Sequence, residues 1–364
     1  MNLNALLEDN QKLVDRFGAQ RIQDLSDVPD FYTFKNGLIF SHRDFDTFYA
    51  GLKKGKRSAI VSGFNASGTM HIGHKAVFDT NLFFQKKYGL PVFIPISDDE
   101  SYVSGKVESQ EDALKNSMQL AKEMLAYGFD PQKTYIVIDQ IYTTIYNLAI
   151  KLSKRLTVSE VRATYGYRME NNPGLFFYPC IQAAHILLPL ESFNFEQILV
   201  PIGPDEDSHI RICRDLAGRF GYAKPAVLHV AFMPGTDGSK MSKSRNNMIN
   251  LQDDEKIIRK RVSKAFSGGA ITVEEHRKNG GDPTKDISFF YLSKYFLNQN
   301  EANNLASKYQ NGELLSGEMK KMLADKLVEF TTQFKKNLSQ ITEQEIKKVL
   351  LSKKETGTET HEPQ

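Results

Sequence analysis

Two histidines three residues apart, His71 and His74, enclose Ile72 and Gly73 in the stretch TMHIGH. On a helix, positions i and i+3 share a face, so both imidazoles would point the same way with bare backbone between them. The run SGFNASG before them supplies Gly63, Ser67 and Gly68 where a strand passes into a helix. Free backbone N–H groups and the positive end of a helix dipole make that junction an anion site, and phosphate is its natural guest. It is neither a Walker loop, since the Lys-Ser/Thr ending is missing, nor a GxGxxG fingerprint. Gly73 would let a flat ring such as adenine lie against the backbone. Two exposed histidines on a surface helix would spell the same six letters, so the rest of the chain has to decide.

The second reactive stretch is TDGSKMSKS at residues 236–244. A glycine, two lysines and three serines directly after a strand describe a loop with cationic tips. In phosphoryl and nucleotidyl transfer, positive charge aimed at the transition state is the main lever, each donor being worth about 3–4 kcal/mol of barrier. His71, His74, Lys240, Lys243 and Ser244 are therefore the candidate catalytic set. Such chemistry needs no side-chain nucleophile, so the absence of a Ser-His-Asp arrangement does not count against it.

These loops need strands and helices to hold them. SAIVSG, PVFIPIS, TYIVIDQ, QILVPIG and VLHVAFMPG read as strands, and helix-length stretches beginning at residues 71, 109 and 208 alternate with them. That alternation predicts a Rossmann-like α/β fold with a parallel sheet, binding its ligands beyond the strand carboxyl ends. The expected division is an appended segment at 1–57 with a hairpin around FYTFKNGLIF, and a catalytic unit at 58–246 with a helical insertion at 141–190. An all-α unit follows at 247–352, then a disordered tail at 353–364 with almost nothing to bury.

Bulk properties fit a globular chain of 364 residues, 40% hydrophobic and 25% charged. No apolar run near the length of a membrane span stands out, and the acid-bearing N-terminus resembles neither a signal nor a transit peptide, so a cytoplasmic location is expected. Cys180 and Cys213 are too few for a disulfide framework or a cysteine zinc site. The net charge of +3 neither demands nor excludes nucleic acid. Tryptophan is absent.

HIGH on the first strand-to-helix turn and KMSKS after the last strand are the paired signatures of the class I aminoacyl-tRNA synthetases, which this sequence resembles in both letters and order. Within that class, FSHRDFD, ISDDESYV, FYPCIQAAHIL, PIGPDEDSHIRICRDLAGRFGY, AFSGG, EEHRKNGGDP and NGELLSGEMKKML resemble the tryptophanyl-tRNA synthetases of the archaeal and eukaryotic branch. The resemblance covers residues 35–330. It implies an ATP site at Gly63, Phe64, Thr69, Gly73, Gly203, Asp205, Met241 and Ser242, with Mg2+ arriving on the ATP rather than in a protein cage. It implies an amino-acid site at Glu100, which would bind the α-ammonium, with Tyr178, Gln182, Glu206 and Asp207. The implied activity is tryptophan activation by ATP and transfer to tRNA(Trp), by a homodimer whose helical unit reads the anticodon.

The sequence departs from the family where the indole N–H is read. Eukaryotic relatives use a tyrosine on the first strand and a glutamine on the second; the matching positions here are Val61 and Pro95, neither with a side-chain acceptor. The family's Asp-Gln-Asp is Asp205-Glu206-Asp207, so Glu206 is the expected replacement acceptor. His185 and Lys243 also depart from common choices in this branch. A tyrosine–tRNA ligase is the alternative, because Tyr178 and Gln182 reproduce a Tyr-x-x-x-Gln spacing of that enzyme's pocket, and a non-catalytic tRNA-binding paralogue is another.

Overall fold

The computed structural model describes residues 14–15, 17–241 and 245–352. The expected disordered tail, and Ser242, Lys243 and Ser244 of the second motif, lie outside the described residues.

Among the described residues, one sheet carries eight strands: β1 (Gln20–Arg21), β2 (Ile39–Arg43), β3 (Ser58–Val61), β4 (Phe64–Asn65), β5 (Val92–Ser97), β6 (Thr134–Ile138), β7 (Gln197–Ile202) and β8 (Ala226–Val230). Strands β6, β5, β3, β7 and β8 run parallel in that spatial order, and β4 pairs the far end of β5. Order reverses on either side of β3, so its carboxyl end is the crevice where such a sheet binds ligands.

Residue alternation shows why the sheet is covered twice. Ile60, Ile94, Ile136, Leu199 and Leu228 point into one apolar layer, shared with helices Gln110–Tyr127 and Ser316–Gln340. Their neighbours Ala59, Val61, Phe93, Val137, Ile198, Val200 and Val227 point into the other, beneath helices Ile145–Ser153, Pro173–Ser192 and Asp207–Phe220. Burial on both faces requires near-continuous apolar strands, which is how these segments read.

Pro95 sits inside β5, where a missing N–H should break the ladder. Ser62 donates to Phe93 and Val92 donates to the Lys133 carbonyl, so odd-numbered residues of β5 face β3 and even-numbered ones face β6. Pro95 therefore turns its missing donor toward the place where β3 has just ended, and the proline suits the crevice.

Two expectations are corrected. FYTFKNGLIF is not a hairpin: Tyr32–Lys35 forms one helical turn, and β2 extends the main sheet antiparallel to β8. The Asn36-Gly37 pair that suggests a hairpin turn ends that helix instead, with Gly37 at φ 68°. Asn36 Nδ2 donates to the carbonyls of Ser293 and Lys294 at 3.2 and 3.0 Å, so tertiary contacts decide the geometry. The expected lack of a membrane-length apolar stretch also fails. Pro173–Ser192 has the length and composition to cross a membrane, but it is a core helix with most of that stretch buried.

The C-terminal helices pack back on the sheet unit. Asn337 Nδ2 donates to Ala126 O at 3.0 Å, and buried Tyr291 donates from Oη to Pro234 O at 2.6 Å. The second contact clamps the chain just ahead of the KMSK segment.

Candidate active site

TMHIGH does not form the first turn of its helix. His71 is extended at φ −133°, ψ 166°, and caps a 3-10 turn at Ile72–His74; the helix Lys75–Tyr88 follows. Gly73 N donates to His71 Nδ1 at 3.2 Å and His71 N donates to His74 Nδ1 at 3.1 Å, a reciprocal capping box built from imidazoles. Because its Nδ1 accepts, His71 carries its proton on Nε2. The rings lie 3.8 Å apart, and His74 also packs on Phe64 and Phe78. Burial, then the neighbouring His71, holds the His74 pKa well below the usual histidine range, so His74 acts as a neutral donor rather than as a cation.

The second motif is tied to the first by backbone. Ile72 N donates to Ile249 O at 2.9 Å and Leu251 N donates to Met70 O at 3.0 Å, an antiparallel bridge between the HIGH segment and the chain beyond KMSKS. Asn247 Nδ2 donates to Asp237 Oδ1, Ser239 Oγ and Lys240 O at 2.8, 3.1 and 3.2 Å, giving the loop its shape. Met241 then lies over Gly73: a Cβ added there would meet the His71 ring at 2.8 Å and Met241 Sδ at 3.0 Å. Lys240 Nζ stands over Phe232 and 3.5 Å from Asp205 Oδ2.

His71, Gly73 and His74 of the first motif and Lys240 and Met241 of the second open on one cleft of about 530 Å³. Its other end is lined by Val61, Pro95, Glu100, Tyr178, Gln182, His185, Glu206 and His209. Glu100 accepts from Lys106 Nζ at 2.8 and 3.0 Å and from Asn65 Nδ2. Gln182 Oε1 accepts from Tyr165 Oη at 3.0 Å, and Gln182 Nε2 donates to Glu206 Oε2 at 3.4 Å. Tyr178 Oη pairs with Ser97 Oγ at 3.2 Å.

Under this end lies a buried acidic cluster in which carboxylate oxygens of Asp98, Asp99 and Asp139 come within 4.8 Å of one another. Asp98 is committed to the backbone N–H groups of Asp139 and Gln140. Burial, then the charge of Asp139, pushes Asp99 up to about 8; burial also pushes Asp139 up to about 8. His185 Nε2 sits 2.6 Å from Asp139 Oδ1.

The family model of the class I tRNA synthetases (W and Y) matches residues 53–332. The tryptophan–tRNA ligase of Methanocaldococcus jannaschii is 36% identical over 93% of this chain and 94% of its own length. A second such ligase, from Halobacterium salinarum, is 38% identical over 88% of this chain and 85% of its own. The chain belongs to the class I tRNA synthetases. Solved tryptophanyl-tRNA synthetases from Aeropyrum pernix and Plasmodium falciparum share the fold at TM-scores of 0.86 and 0.85. They are 28% and 31% identical, covering 95% and 93% of this chain and 97% and 96% of theirs.

The cleft of this synthetase gathers His71, His74, Gly63, Phe64, Gly73, Gly203, Asp205, Lys240 and Met241 on one side and Glu100, Tyr178, Gln182 and Glu206 on the other. Two expected residues are not on it. Thr69 faces a separate small cavity with Asn246, Met248, Asn250 and Arg261, because the backbone pairing of Met70–Ile72 turns it away. Asp207 is buried and structural: Arg43 Nε and Nη2 donate to its two oxygens at 2.8 and 2.9 Å, and His229 Nε2 lies 2.9 Å from Oδ1. Burial raises its pKa, but the bonds from His229 and Arg43 outweigh this and keep it far below the usual carboxylate range.

Sequence reasoning misses Asn65, Lys106, Tyr165 and His209, which hold the named site residues in place. Asn65 carries a signal, since a polar residue in the loop between SG and SG has no core to join. Tyr165 and His209 carry none: they meet only because two helices converge, with rings stacked at 4.3 Å.

Proposed function

We propose that the chain activates L-tryptophan with ATP and transfers it to tRNA(Trp). The tryptophan carboxylate attacks the α-phosphorus in line, the bond to the bridging oxygen breaks, pyrophosphate leaves and tryptophanyl-adenylate remains. The terminal ribose 2′-hydroxyl of the tRNA then attacks the acyl carbon and releases AMP. His71 and His74 donate to the phosphates, Lys240 neutralises the departing pyrophosphate, and Gly73 underlies adenine. Lys243 and Ser244 join Lys240 in this reading, and Mg2+ enters with the ATP.

The observation that carries the reading is the backbone bridge that sets HIGH and Lys240–Met241 across one cleft, with a carboxylate at its far end already holding an ammonium. Glu100 grips Lys106 in the manner it would grip the substrate's α-ammonium. The chain works as a homodimer in the cytoplasm, its C-terminal helices reading the anticodon; light scattering tests the assembly.

ATP–pyrophosphate exchange tests the activity. Exchange that depends on tryptophan supports it. Exchange with tyrosine instead, or with no amino acid at all, overturns it.

A further inference from the structure

An indole N–H is a donor with no acceptor capacity, so a pocket that encloses it must offer an acceptor or leave it unpaired. Val61 and Pro95 line the cleft and offer none. Gln182 Oε1 already accepts from Tyr165, and Glu206 Oε2 is met by Gln182 and His209. The Glu206 side chain is also 48% exposed, where water competes for the same bond. One residue in the deeper wall differs. His185, three positions beyond Gln182 on helix Pro173–Ser192, has a side chain 2% exposed and lines the cleft.

Its two nitrogens have different fates. Nε2 is held by Asp139 at 2.6 Å, whereas Nδ1 makes no hydrogen bond with the described residues and is not among the sealed, unpartnered atoms. The acidic cluster decides the tautomer. Asp99 Oδ2 and Asp139 Oδ2 are both sealed from solvent with no hydrogen-bond partner among the described residues, and carboxylate oxygens of the two lie within 4.8 Å of each other, so a proton held on one of them relieves the repulsion of two close buried anions. With that proton on Asp99, Asp139 is the anion that accepts Nε2–H, and Nδ1 is left as a bare acceptor toward the cleft.

We propose that His185 Nδ1 accepts the indole N–H of the substrate, with Asp139 and Asp99 as positioning residues that fix its tautomer. The inference deepens the tryptophan reading and rests on it; the role expected of Glu206 passes to His185. Burial lowers the His185 pKa to about 4, so a neutral ring is what the substrate meets near neutral pH.

Exchange kinetics with L-tryptophan and with β-(3-benzothienyl)-L-alanine, which has sulfur in place of the N–H, test it. The unsubstituted chain should prefer tryptophan by about 100-fold or more in kcat/KM, as sites built around a hydrogen bond do. His185→Leu should bring that ratio below about tenfold through loss on tryptophan alone, the analogue retaining its rate as proof of an intact fold. His185→Asn, whose Oδ1 can stand in for Nδ1, should recover part of the preference. Asp139→Asn, which donates to Nε2 and moves the ring proton to Nδ1, should lower it although the histidine remains. An unchanged ratio in His185→Leu, or equal loss on both substrates, overturns the role of His185, as does a collapse in Glu206→Gln instead. No tryptophan-dependent exchange by the unsubstituted chain overturns the parent reading and this one together, and is told apart by needing no variant.

Discussion

The two ends of the cleft are built in opposite ways. The nucleotide end is made of short contiguous stretches whose side chains bond their own neighbours: His71 with His74, Asp237 with Ser239, and Asn247 with the loop it closes. The amino-acid end is made of single residues from separate elements, Glu100, Tyr165, Gln182, His185 and His209, joined by contacts across the fold. The comparison teaches that transition-state chemistry common to many substrates can be written as a motif. Recognition of one side chain is instead distributed, and a departure at one position can be answered from another strand or helix.

The sharpest way to break that contrast is to remove both histidines. His71→Ala with His74→Ala should slow adenylate formation by at least about three decades in single-turnover assays, leaving tRNA binding within about threefold. Comparable losses in both would mean the turn is structural. Lys240→Ala should cost about two decades in kcat. Gly73→Ala should cost about one to two, because its Cβ would displace the His71 ring and Met241; ATP KM and kcat should both shift.

Stability measurements sharpen the comparison further. Tyr291→Phe leaves the buried Pro234 carbonyl without its donor and should cost about 1–3 kcal/mol in urea unfolding. The smallest effect belongs to Asp99→Asn. Asp99 and Asp139 are pushed up to about 8, so between the ordinary aspartate value near 4 and about 8 the folded chain binds more protons than the unfolded one. Their contribution is full below that window and is lost as pH rises through about 8, with a slope of at most about 1.4 kcal/mol per pH unit per proton. The asparagine variant should flatten this decline, which melting curves from pH 5 to about 9 would detect.

Much of the fold is legible in the letters because the parallel strands are apolar runs bounded by breakers, and β5 through β8 fall where the alternation predicts. The segment before residue 58 is harder. Asn36-Gly37 is compatible with a hairpin turn or a helix end, and only contact with Ser293 and Lys294 selects the second. Asp207 shows the same limit at the site: its place beside Glu206 suggests the pocket, yet Arg43 and His229, remote in sequence, draw it into the core.

By itself the sequence determined the chemistry of the nucleotide end, since capping boxes, glycine turns and a lysine loop act through neighbours a few bonds away. It also determined the order of strands and helices, through patterns of burial repeated along the chain. Tertiary structure alone decided which nitrogen of His185 is held by Asp139 and that its ring lines the cleft. The Asp139 that holds Nε2 and the Asp99 beside it lie on separate elements brought together only when the sheet closes.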